Sequence, residues 1–141
     1  MVYYNLPKTV RIVIQKEEHI LFCRKKGEKH YFLPGWDIDC REKAEMTLRR
    51  EVRSIIRQPI KKYSYIGALG RERTNLRGKK ERCFDLIFEV EMEKFFSLPT
   101  DQHIEFAWKH QGSLLEHSIL PEKLRPALSS WLQDKRVFWA S

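Results

Sequence analysis

The chain has 141 residues, 42% of them hydrophobic, which is enough for one core and too few for two independent ones. Twenty-seven Lys and Arg against nineteen Asp and Glu give a net charge of +8, favouring anionic partners such as phosphorylated metabolites, nucleic acid or an acidic surface. Cys23, Cys40 and Cys83 are odd in number and form no CxxC, which argues against a disulfide scaffold or structural zinc. No stretch approaches the ~20 apolar residues of a membrane span and the N-terminus lacks a targeting pattern, so a soluble, unprocessed protein of the cytoplasm is expected.

Thr9 to Gln15 alternates, with Val10, Ile12 and Ile14 on one face. His19 to Lys25 adds a second apolar run after the polar Lys16-Glu17-Glu18 turn, so the two are expected to form a hairpin. From Lys43 to Arg57 the period lengthens. Ala44, Leu48, Val52, Ile55 and Ile56 recur at helical spacing and predict a helix with one buried stripe. Pro59 disfavours helical geometry at Gln58 and ends it, and Arg57 suits the negative end of a helix.

Ile60 to Leu69 and Arg82 to Met92 are predicted strands. In the second, Phe84, Leu86, Phe88 and Val90 share one side, with Asp85, Glu89 and Glu91 on the other. Between them GRERTNLRGKKE reads as a basic loop in which Asn75 and Gly78 permit a tight turn. Ser97 to Asp101 is a Pro-containing loop and Ile104 to Lys109 a short strand. A helix starting at Pro121 buries Leu124, Leu128, Trp131 and Leu132. No repeat, low-complexity tract or linker interrupts the chain, and residues 1–141 read as a single domain.

FLPGWDIDCREKAEMTLRREVRSIIR, from Phe32 to Arg57, resembles a Nudix box. The pattern is a glycine, five residues, a glutamate, seven residues, Arg-Glu, an aliphatic, one residue, Glu-Glu, one residue, a glycine and an aliphatic. Glu42, Arg50, Glu51 and Val52 fall in register. Trp36 stands in the first glycine slot, Ser54 and Ile55 in the paired-glutamate slots, and Arg57 in the closing glycine slot. Leu33-Pro34-Gly35 is similar to the usual entry, and RCFDLIFEVEM, HIEFAWKHQGSLLEH and PEKLRPALSSWL look like the later strands and closing helix of small Nudix domains.

The resemblance implies an α/β/α sandwich with a mixed sheet, the box helix and a C-terminal helix. It also implies an ancestral Mg2+- or Mn2+-dependent hydrolysis of a nucleoside diphosphate linked to another group, by water attack on phosphorus. On the matching positions, Glu42 and Glu51 would bind metal and Arg50 would orient the glutamates and serve catalysis with Glu51; Glu105, outside the motif register, is the candidate distal acid.

Positions 51, 54 and 55 lie three and four apart, so a helix sets their side chains side by side, and glutamates there would form a carboxylate cluster for magnesium. Only Glu51 keeps its carboxylate here. Ser54 can hydrogen-bond or hold a metal-bound water, whereas Ile55 extends the apolar stripe. Losing two such carboxylates should cost at least ~10²–10⁴-fold in metal affinity or activity, or roughly 3–5 kcal/mol in a barrier, unless other acids replace them. Asp39 and Glu105 are the candidate substitutes, among the acids of segments that border the box.

The expected ligand is therefore a nucleotide or another diphosphate-containing metabolite, with hydrolysis weak or lost. An active hydrolase using substitute acids is the alternative. Trp36 offers a π-face to a base, against the plainer reading that it packs. Arg77 and Lys79 in the basic loop suit phosphate or RNA backbone, against the plainer reading of a solvated hairpin tip. RNA binding by a regulatory pseudoenzyme is thus a further alternative, and the oligomeric state is left open.

Overall fold

The structure, a computed structural model, describes residues 6–140; residues 1–5 and 141 of the expected domain lie outside the described residues. In chain order the elements are β1 (Lys8–Val13), β2 (Gln15–Lys16), β3 (His19–Lys25), β4 (Gly35–Asp37), α1 (Ala44–Ile56), β5 (Ile60–Thr74), β6 (Lys80–Met92), β7 (Ile104–His110), a 3-10 helix (Gln111–Glu116), α2 (Leu124–Asp134) and β8 (Phe138–Ala140). They form a mixed sheet in the order β4-β1-β6-β5-β8 and a smaller antiparallel sheet in the order β2-β3-β7. Within the larger sheet β1 runs parallel to β6 and β8 parallel to β5, while β1–β4 and β5–β6 are antiparallel.

Both faces of the larger sheet are covered, which is why β1 is buried on alternate residues and on those between. Val10, Ile12 and Ile14 pack with Phe88 and Val90 against Leu48, Val52 and Ile56 of α1. Val13, Leu69 and Ile87 face the other way, onto Phe22 of the smaller sheet and Leu124, Leu128 and Trp131 of α2. The result is the α/β/α sandwich with a mixed sheet expected from the sequence. Burying Leu48, Val52 and Ile56 contributes about 1.5–3 kcal/mol each, and this apolar stripe holds the helix on the sheet.

Three local expectations are corrected. The anticipated hairpin exists only at β2–β3, where Glu17 and Glu18 take positive φ of 48° and 65° and make the turn. β1 instead joins the larger sheet, because Val10 and Ile12 enter the α1 core while its other face places Val13 in the second core and Thr9 and Arg11 on Asp85 of β6. The basic loop is mostly strand: β5 runs to Thr74 and β6 starts at Lys80, since Glu72 opposes Arg82 and Arg73 opposes Glu81 across the ladder. Only residues 75–79 turn, with the Asn75 Oδ1 accepting from the Arg77 and Lys79 amides at 2.9 and 3.0 Å.

At the C-terminal end, Pro121 sits in a turn and α2 proper begins at Leu124. β8 was not anticipated from sequence at all. Its Phe138 ring lies against Gly67, where an added Cβ would come within 2.7 Å of the ring, so only glycine lets the two backbones pair there.

Candidate functional site

The site is built around α1 and the loop that enters it. Lys43 is the N-cap, without a side-chain cap bond, and Arg57 closes the helix in the left-handed region with φ 71°, its amide bonded to the Arg53 carbonyl at 2.9 Å. Glycine is the residue usually found there, since a Cβ crowds the backbone at positive φ. Pro59, two residues on, forbids continuation of the helix.

Arg50 links the box residues. Its guanidinium grips Glu42 through both terminal nitrogens, Nη2 donating to Oε1 at 3.1 Å and Nη1 to Oε2, while its Nε lies 3.5 Å from Glu51 Oε1. Thr47, fully buried on α1, adds a bond from its hydroxyl to Glu42 at 3.3 Å. The Arg50 guanidinium holds the Glu42 carboxyl below the usual range, with its charge and the Thr47 bond adding to the effect. Glu42 in turn raises Arg50 above its ordinary value. Glu42 is thereby fixed as an anion whose oxygens are already engaged.

Glu51, Ser54 and Ile55 project from one face of α1 into a cavity of about 460 Å³, completed by Trp36, Arg57 and the Ser97–Asp101 loop. Asp101 is the second carboxylate of this cavity, with its Oδ1 accepting from the His103 and Ile104 amides at 2.7 and 3.0 Å. Among the described residues no three His, Cys, Asp or Glu side chains gather closely enough to hold a metal ion.

A larger cavity, about 680 Å³, opens on the opposite face of the sheet between β1, β5, β6 and the Leu120–Leu124 segment. Its floor is Asp85, 1% exposed, bound by Arg71 through both oxygens at 2.7 and 3.1 Å, by the Thr9 hydroxyl at 2.5 Å, and by Arg11 at 3.5 Å. Burial pushes the Asp85 carboxyl up, but Arg71, Arg11 and Thr9 together bring it below the ordinary range. Arg11 also donates to the Leu33 carbonyl at 3.0 Å and lies across Gly35, where an added Cβ would sit 2.4 Å from its Cδ and 2.5 Å from the Val10 carbonyl. Leu33 lines this cavity and Trp36 the other, so the short box entry segment touches both.

No family model matches the sequence, and no curated protein matches it. Solved structures do. A MutT protein from Bacillus halodurans superposes with TM-score 0.75 over 95% of this chain and 87% of its own at 17% identity. A MutT protein from Methanosarcina mazei Go1 gives 0.72 over 96% and 99% at 18% identity. The Nudix domain of Shewanella oneidensis NrtR, solved with ADP ribose, gives 0.62 over 89% and 86% at 15% identity. The protein has the Nudix fold.

Within this Nudix fold the box positions Glu42, Arg50 and Glu51 meet, and Trp36 lines the same cavity as Glu51. The other candidates lie elsewhere. Asp39 sits on the exposed loop before α1, accepting from the Arg41 amide at 2.9 Å, and it lines none of the cavities described above. Glu105 is on β7, bound to Arg24 at 3.0 Å, and does not line the α1 cavity. Arg77 and Lys79 are at the exposed tip of the β5–β6 hairpin. In the sequence Asp101 stands out only as the end of a loop and Asp85 only as one acid among several. The Asp-x-His-Ile turn before a strand was the available signal for the first, and an acid in the middle of an apolar strand for the second. No helix among the described residues is long and apolar enough to cross a membrane.

Proposed function

We propose that the protein is a single Nudix-like domain that binds a nucleotide or another diphosphate-containing metabolite, with pyrophosphate-bond hydrolysis weak or lost. One observation carries this reading. The Glu42–Arg50–Glu51 linkage of the box is present, while Ser54 and Ile55, which stand in the paired-glutamate slots, share a cavity with Glu51 and bring no carboxylate to it. Magnesium prefers octahedral oxygen coordination with carboxylates among its ligands. Here Glu42 is engaged by Arg50, Asp101 spends an oxygen on two amides, and Ile55 offers no donor, so the donor set does not fit a cage of that kind.

Support for the ligand class comes from the chemistry of the cavities and from the NrtR Nudix domain, a structural neighbour solved with ADP ribose. The volumes of about 460 and 680 Å³ fall in the range of small-molecule sites. The test is a screen of nucleoside triphosphates, nucleotide sugars, dinucleoside polyphosphates, ADP-ribose and triphosphorylated RNA, for binding by calorimetry and for product release with Mg2+ or Mn2+. Stoichiometric binding without turnover is expected; robust metal-dependent turnover refutes the reading.

A second reading, an active hydrolase with a substitute acid, is favoured by Asp101, which brings a second carboxylate to the cavity of Glu51. It requires that turnover be seen and that Glu51→Gln and Asp101→Asn each abolish it.

A further inference from the structure

We propose that the free edge of β7 pairs with the same edge of a second copy of this chain, antiparallel about a two-fold axis at Ala107, so that the two smaller sheets become one.

β7 ends the smaller sheet, and no strand lies on its outer side among the described residues. The other end strands are short, three residues each in β4 and β8 and two in β2. β7 has seven, without proline, glycine or bulge, and the residues from Ile104 to Lys109 all stay partly exposed. A regular edge of that length presents a row of unpaired N–H and C=O groups, which proteins otherwise blunt or cover.

The ladder with β3 fixes which groups these are. The Lys26 amide donates to the His103 carbonyl at 2.9 Å and the Gln111 amide to the Glu18 carbonyl at 2.8 Å, so by alternation Glu105, Ala107 and Lys109 turn their backbone polar groups towards β3. Ile104, Phe106, Trp108 and His110 therefore turn theirs outward. Two of these groups are used within the chain: the Ile104 amide donates to Asp101 at 3.0 Å, and the His110 carbonyl accepts from the Ser113 hydroxyl at 3.1 Å. The amides of Phe106, Trp108 and His110 and the carbonyls of Ile104, Phe106 and Trp108 have no partner among the described residues.

An axis at Ala107 matches this set to itself. It puts Phe106 opposite Trp108 of the second copy, and Ile104 opposite His110, at the hydrogen-bonded positions, so each free donor meets a free acceptor. The one bond it leaves out on each side would have joined the two groups already used. Between those pairs, where strands bring side chains closest, at about 4.5 Å between Cα atoms, Glu105 faces Lys109 of the second copy at two symmetric places. Both side chains have capacity to spare. Arg24 takes only Oε2 of Glu105, at 3.0 and 3.1 Å, and Lys109 rests 4.3 Å from the Tyr31 ring centroid without an ion pair among the described residues. Moving the axis by one residue opposes free groups to used ones, and moving it by two sets Glu105 or Lys109 opposite itself, which like charge disfavours.

Sedimentation equilibrium of the full chain from about 1 to about 500 μM should show the mass rising from the 17.0 kDa of one chain towards twice that. Lys109→Glu and Glu105→Lys each oppose like charges at both symmetric places and should each weaken self-association at least tenfold. An equimolar mixture of the two variants restores opposite signs at both places, and native mass spectrometry should show mixed dimers. In the wild type, hydrogen exchange at the Phe106 and Trp108 amides should slow as concentration rises. A wild type that stays monomeric throughout the range overturns the inference, as does a dimer that neither variant weakens or whose Phe106 and Trp108 amides exchange independently of concentration. Folded variants whose mixture forms no mixed dimer overturn it equally.

Discussion

Replacing Asp85 by asparagine keeps the shape of the side chain and removes the charge on which Arg71, Arg11 and Thr9 converge. The carboxylate is 1% exposed, whereas the two arginine side chains are about one-fifth exposed, so water relieves part of what they lose. Breaking a buried pair by removing one partner costs about 3–5 kcal/mol, and that partial exposure places this case near ~3 kcal/mol. For a domain of this size that corresponds to roughly 10 °C in melting temperature.

The pH dependence has a definite sign. The folded-state carboxyl of Asp85 is held below its ordinary range, so its contribution is fully present above the unfolded value of about 3.9 and is lost as pH falls through the lower, folded value. Thermal melts of wild type and Asp85→Asn across neutral and acid pH are the assay. The gap should be wide and constant near neutrality and should close below about pH 4, because only the wild type has the proton to gain. A variant that melts within ~2 °C of wild type at pH 7, or a gap that does not narrow in acid, would show that the network is not what secures the floor of this cavity.

Gly35→Ala should destabilise by about 1–3 kcal/mol in denaturant melts, since the new methyl meets the Val10 carbonyl at 2.5 Å as well as the movable Arg11 chain. Leu128→Ala, at a position 1% exposed in the α2 core, should cost about 2–5 kcal/mol in the same measurement. Ser54→Glu with Ile55→Glu should raise Mn2+ affinity at least tenfold by calorimetry, because it adds two carboxylates beside Glu51; unchanged affinity in a folded double mutant counts against the box register. Joint replacement of Arg77, Lys79 and Lys80 by alanine should leave ADP-ribose affinity within about twofold, because the hairpin tip borders neither cavity, and a large loss would move the ligand site to that tip.

Periodicity alone marked α1, since Leu48, Val52 and Ile56 recur at 3.6-residue spacing and Pro59 stops the helix, both local properties of the chain. The grouping of Glu42 with Arg50 and Glu51 was implied by the resemblance to the Nudix box and not by periodicity, and the Arg50 guanidinium does reach both acids. What pairs with β1 was not legible. A strand's alternation says which residues are buried and not which strand lies beside it, and here β4 and β6 flank β1 while the expected partner joins the other sheet. Distant acids were decided in the same way. Asp101 reaches the α1 cavity and Glu105 does not because the turn before β7 presents one and the pairing with Arg24 holds the other, and contacts between residues so far apart in sequence leave no periodic trace in the chain.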